Sequence, residues 1–73
     1  MAPLPVLSGD AFVKAMERIG YRRVRMRGSH MILAHTSRRR LSVPRHRELD
    51  RGLLRRLIRD ADLTVPGLLD LLE

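Results

Sequence analysis

A chain of 73 residues with no cysteine cannot be stapled by disulfides or by a thiolate-bound zinc, so its fold must rest on aliphatic side chains alone. Aromatic residues add little, since there is one Phe, one Tyr and no Trp. Nearly every apolar residue is therefore needed inside, which leaves room for one domain and no deep enclosed cavity. Little aromatic surface remains on which exposed bases could stack. Residues 1–7 read as an N-terminal tail and residues 8–73 as the single domain. The Pro-broken start lacks the basic opening of a signal peptide and no stretch approaches a membrane span, so the expectation is a cytoplasmic protein with no membrane partner.

Apolar spacing divides this core among short elements. Ser8 can cap a helix over 9–19 whose Phe12, Val13, Met16 and Ile19 share a face, with Asp10 at its positive end and Gly20 as its stop. Tyr21 to Arg27 alternates as a half-exposed strand. It is expected to pack the face with Arg22, Val24 and Met26 and to show Tyr21, Arg23, Arg25 and Arg27 on a cationic face. Gly28-Ser29 marks a turn, Met31 to Ala34 a central strand bounded by His30 and His35, and Thr36-Ser37-Arg38 a second turn. Arg39 to Val43 forms a third strand with Leu41 and Val43 inward, ended by Pro44. Three consecutive short strands imply an antiparallel meander.

Leu53, Leu54, Leu57, Ile58 and Ala61 then make one stripe of a helix whose Arg51, Arg55, Arg56 and Arg59 face solvent, with Arg56 and Asp60 at pairing distance. Thr64 followed by Pro66 opens a short C-terminal helix carrying Leu68, Leu69, Leu71 and Leu72. The order helix, three-stranded antiparallel sheet, helix, with the helices on one sheet face, is an α+β layout that resembles double-stranded-RNA-binding domains.

The formal net charge is +7, and its placement matters more than its sum. Arg18 to Arg47 contains ten Arg, all three His and no Asp or Glu, whereas Glu48 to Glu73 holds six acids against four Arg. A segregated field of this kind concentrates polyanions, and fourteen Arg against one Lys favour bidentate contacts to phosphate. A coding bias toward Arg explains Arg over Lys. It does not explain the missing acids, so a nucleic-acid-facing surface is the reading taken. Arg23, Arg25, Arg27, Arg40 and Arg45 are the expected phosphate contacts.

Two places set a His beside an Arg: Arg27-Gly28-Ser29-His30 and Val43-Pro44-Arg45-His46. RNA carries its own nucleophile in the 2′-OH. Its cleavage needs a base for that proton, a donor for the leaving 5′-oxygen and cations for the developing phosphorane charge, with no metal or cofactor required. A histidine can be either base or acid. From the residues alone, a His that opens a strand after a Gly-Ser turn reads more readily as a polar edge residue than as a catalyst. A metal site from His30, His35 and His46 is not expected, because their spacing matches no compact ligand set and strand parity splits the first two. His35 is read as structural or solvated.

Read together, Gly20-Tyr21, Gly28-Ser29-His30, the strand to His35, Val43-Pro44-Arg45-His46 and Gly52-Leu53-Leu54-Arg55-Arg56-Leu57-Ile58-Arg59-Asp60-Ala61 resemble the HicA family of toxin–antitoxin endoribonucleases, from about Ser8 to Leu72. The resemblance implies a double-stranded-RNA-binding-like fold, ribosome-independent cleavage of mRNA and neutralisation by a HicB-like antitoxin that covers the site. It also implies that the family's essential His falls on His30 as the catalytic residue. His46 is readable as the acid of a two-His mechanism or as a residue that binds phosphate or orders the loop after Pro44; the supporting role is the reading taken, with Gly28 and Ser29 beside it in the RNA-binding surface. The chain departs from the pattern at Thr36-Ser37-Arg38, at Arg47-Glu48 and at Ala61-Asp62-Leu63, where the family favours Gly. Two further readings remain: a basic RNA-binding module without catalysis, and an interaction subunit whose basic face receives an acidic protein. Growth arrest and RNA decay that depend on His30 separate the first reading from these.

Overall fold

The computed structural model describes residues 3–73. Its elements run α1 (Gly9–Glu17), β1 (Arg22–Arg27), β2 (His30–Ala34), β3 (Leu41–Pro44), α2 (Arg51–Asp60) and α3 (Val65–Leu71). The strands form one antiparallel sheet in the order β1-β2-β3, so the α+β, double-stranded-RNA-binding-like layout holds. Met31 and Leu33 of β2 and Leu41 and Val43 of β3 point to one side and join Phe12, Met16, Leu54, Leu57 and Leu68 from the helices in a single core. The alternate positions Ile32 and Ser42, paired with each other, fall on the face the helices leave open. Leu4 and Leu7, in the stretch read as a tail, are buried in the same core, and the Leu7 carbonyl accepts from the Leu49 amide at 2.7 Å.

Caps set the helix ends. Ser8 Oγ accepts from the Ala11 amide at 3.0 Å, Asp50 caps α2 through Leu53, and Thr64 caps α3 through Gly67. α1 closes through hydrogen bonds from Tyr21 to Met16 and from Gly20 to Glu17, the paired pattern of a Schellman ending. α2 closes in the same way, from Leu63 to Ile58 and from Asp62 to Arg59. Asp62 takes there the left-handed conformation, φ 60°, that glycine would adopt more cheaply.

Two expectations are corrected. The first strand does not bury Arg22, Val24 and Met26; every residue from Arg22 to Arg27 is exposed. The strand is an outer edge of the sheet and carries a bulge. Arg23 lies opposite Leu33 but Arg25 lies opposite Ile32, so Val24 is an extra residue and the alternation inverts across it. Arg23 therefore shares the helix-facing side with core residue Leu33, while Arg25 and Arg27 share the open side with Ile32 and His30. Tyr21 is buried instead of cationic-faced, because Gly20 turns the chain inward and its hydroxyl donates to the Arg39 carbonyl at 2.8 Å. The second correction concerns Arg56 and Asp60: the ion pair among the described residues is Arg45 with Asp10, and Arg56 extends freely into solvent.

Candidate nucleic-acid interface

The hairpin between β1 and β2 is closed by the pair Arg27 and His30, leaving Gly28-Ser29 as a two-residue loop. Gly28 has φ +61° and Ser29 does not have positive φ, which is the signature of a type II′ turn and requires glycine at the first position. A tight turn of this kind holds His30 at the first residue of the central strand, where the register is least free to slip. His30 is exposed, and its side chain makes no hydrogen bond to the described residues. It lies on the open face directly opposite Arg27.

Strand pairing brings the second His-bearing stretch alongside. His30 is opposite Pro44, and one step further the Arg45 amide donates to the Ser29 carbonyl at 2.9 Å. The loop is also held from the helical layer, since the Gly9 amide donates to the His46 carbonyl at 2.9 Å. A Cβ on Gly9 would collide with the Pro44 carbonyl oxygen, so α1 can start here only on a glycine. Arg45 is fixed at two points. Its backbone binds Ser29, and its Nε lies 3.4 Å from Asp10 Oδ1, which leaves the terminal fork of the guanidinium facing water. Both side chains of this pair are more than half exposed, at 58% and 54%, so it orients the arginine more than it stabilises the fold.

Beyond His30 the open face is cationic. Arg25, Arg27 and Arg40 ring a shallow hollow of about 180 Å³ floored by Ile32 and Ser42. The structure thus places Arg25, Arg27, Gly28, Ser29, His30, Arg40 and Arg45 along one face and one end of the sheet. Arg23 is not among them: it lines a separate depression with Asp10, Lys14 and Glu17 of α1. His46 lies in the loop beside Arg45 and is exposed, its backbone tied and its ring without a hydrogen bond to the described residues.

His35 is held differently. Its Nδ1 accepts from the Ser37 amide at 3.0 Å, so the proton is on Nε2, which donates to the Ile19 carbonyl at 2.7 Å. The ring packs edge-on against Tyr21 with centroids 4.8 Å apart. It fastens the end of α1 to the second turn. Two arginines of the acid-free stretch also have structural work: Arg18 donates to the carbonyls of Leu71 and Glu73, and Arg38 to those of Ala61 and Asp62. Both cap helix C-termini, where a cation meets the negative end of the dipole. Sequence reading missed these two, the close approach at Gly9 and the pairing of Asp10 with Arg45, because each acts through a contact distant along the chain.

Fold and surface together define a small double-stranded-RNA-binding-like domain whose open sheet carries an exposed histidine among arginines. The chain matches the family model for the HicA toxin of bacterial toxin–antitoxin over residues 9–63. That span is most of the chain, and this protein belongs to the HicA toxin family. No curated protein matches it. No helix among the described residues is long and apolar enough to cross a membrane.

Proposed function

We propose that this HicA-family toxin is an endoribonuclease that cuts mRNA in the cytoplasm through His30 and is silenced by a HicB-like antitoxin that covers the same face. The observation that carries this reading is the position of His30: exposed, unengaged, opposite Arg27 and one residue from the Ser29–Arg45 link. RNA lies across the open face with its phosphates on Arg25, Arg27, Arg40 and Arg45. One imidazole nitrogen then takes the 2′-OH proton, the 2′-oxygen attacks the adjacent phosphorus, and the P–O5′ bond breaks. The leaving 5′-oxygen takes a proton from a second donor, for which His46 is the candidate, since it follows the Arg45 whose amide is tied to Ser29. The guanidinium forks stabilise the charge that builds on the phosphorane oxygens. No metal or cofactor enters these steps, because the nucleophile belongs to the substrate.

Induction of this chain should arrest growth and degrade message. His30→Ala should abolish both while leaving the melting temperature and the binding of RNA and antitoxin unchanged. An RNA with a 2′-deoxy sugar at the cut position should resist cleavage by the wild type. Arrest that persists in His30→Ala would leave an RNA-binding module without catalysis.

A further inference from the structure

α2 begins where the loop with Arg45 and Arg47 ends, and it stops where Arg38, from the far turn of the sheet, caps the Ala61 carbonyl. It therefore runs from the His30 end of the molecule to the opposite end. Its inner face is Leu54, Leu57, Ile58 and Ala61, all buried. Its outer face carries Arg51, Arg55, Arg56 and Arg59, all exposed and none in an ion pair among the described residues.

This arrangement works against the helix. Arg51 occupies the first turn, where the dipole disfavours a cation and the nearest acid, Asp50, is engaged in capping Leu53, although Arg59 in the last turn suits the dipole. Arg51 with Arg55, and Arg55 with Arg59, are like charges one turn apart and repel. A row of like charges with no ion pair among the described residues is a surface suited to an external anion. Arg51, Arg55 and Arg59 follow one another at about 6 Å along the axis, four residues of helical rise. Successive phosphates of an extended strand are spaced comparably, and the row continues the cationic path that Arg45 and Arg47 begin at the His30 end. Between Arg55 and Arg59, Ile58, Leu63 and Val65 floor a hollow of about 320 Å³, rimmed also by Asp62 and Thr64, wide enough for a sugar or base to rest on apolar surface.

We infer that the outer face of α2 is a second RNA-binding surface. It guides the single strand flanking the cleavage position from the open sheet face, around the end of the sheet by way of Arg45 and Arg47, and along Arg51, Arg55 and Arg59. The inference rests on the proposed nuclease activity and adds a substrate-length dependence to it.

The test uses the triple variant Arg51→Gln, Arg55→Gln, Arg59→Gln in the full chain, with two RNAs: a long message fragment and a short oligonucleotide that covers only the cut position. Cleavage of the long RNA should fall on the order of tenfold at moderate salt, and the log–log salt dependence of its binding should flatten by about 2, from three lost phosphate contacts. Cleavage of the short oligonucleotide should match the wild type, and the melting temperature should hold or rise as the repulsion is removed. Equal cleavage of both RNAs with an unchanged salt slope would overturn the inference. So would loss of antitoxin capture with RNA binding intact, which would make α2 a protein-binding face. Failure of the wild type to cut either RNA would instead strike the nuclease reading itself.

Discussion

Replacing Gly9 by alanine changes one methyl group and tests how the two layers are joined. At this position a Cβ would overlap the Pro44 carbonyl oxygen, a backbone atom that can retreat only by moving β3 or the loop behind it. Overpacking of this kind costs about 1–3 kcal/mol. The retreat also stretches the 2.9 Å bond from Gly9 to His46, worth about 1 kcal/mol. Alanine returns at most about 1 kcal/mol through helix propensity. The expected net loss is about 2 kcal/mol, or roughly 8–16 °C in Tm for a domain of this size. Gly52, in the first turn of α2, provides the control. There a Cβ would meet only Asp50 Oδ2, at 3.2 Å, a side-chain oxygen that caps Leu53 and need give by only a few tenths of an ångström, so Gly52→Ala should change stability by less than about 1 kcal/mol in either direction. Urea denaturation of both variants measures the contrast. Because the displaced loop carries Arg45 and His46, Gly9→Ala should also lose RNA cleavage per folded molecule. A Gly9→Ala protein as stable and active as Gly52→Ala would refute the close approach and the route by which α1 positions the site.

Other outcomes follow from the remaining contacts. Burial holds the Tyr21 phenol above its ordinary value, with Arg38 pulling it down and Asp60 pushing it up to lesser degrees. An acid whose folded pKa is raised keeps its proton longer in the fold than in the open chain, so stability is whole below about pH 10 and falls as pH climbs from there toward the folded value. Tyr21→Phe should cost about 1 kcal/mol at neutral pH through the lost bond to Arg39. Melts from about pH 8 to about pH 11 should nonetheless show it losing less than the wild type over that range. His35→Ala removes both ring hydrogen bonds and the contact with Tyr21, so it should destabilise by about 2 kcal/mol yet retain cleavage per folded molecule, the reverse of His30→Ala. Denaturation and single-turnover cleavage on the two variants separate the roles.

Much of the fold was legible along the chain because its signals are local. Ser8 and Thr64 are short polar caps ahead of apolar helical spacing, and each caps a helix in the structure, whereas the cap at Asp50 emerged only from the structure. Gly28-Ser29 between two strand patterns is a hairpin, and the third strand buries Leu41 and Val43 as its alternation requires. The departure at Asp62 was also readable, and the structure shows the non-glycine residue accepting the left-handed ending rather than the helix changing its course. The face of each arginine was not legible. Period-two alternation is reliable only in an unbroken strand, and nothing in Arg22 to Arg27 announces that Val24 is unpaired. One inserted residue moved Arg23 to the α1 side and left Arg25 and Arg27 with His30.

By itself the sequence determined the elements, their order, the acid-free basic stretch and the presence of a histidine after a tight turn, since each of these depends on residues a few positions apart. Only the tertiary structure decided which cations share a surface with that histidine and which close helix ends. Pairing places Pro44 opposite His30 and Arg45 against Ser29, packing sets Gly9 on the carbonyl of Pro44, and Arg18 and Arg38 reach carbonyls far away in the chain. Such contacts form between residues whose separation in the chain carries no periodic or compositional trace, so they come into being only when the layers meet.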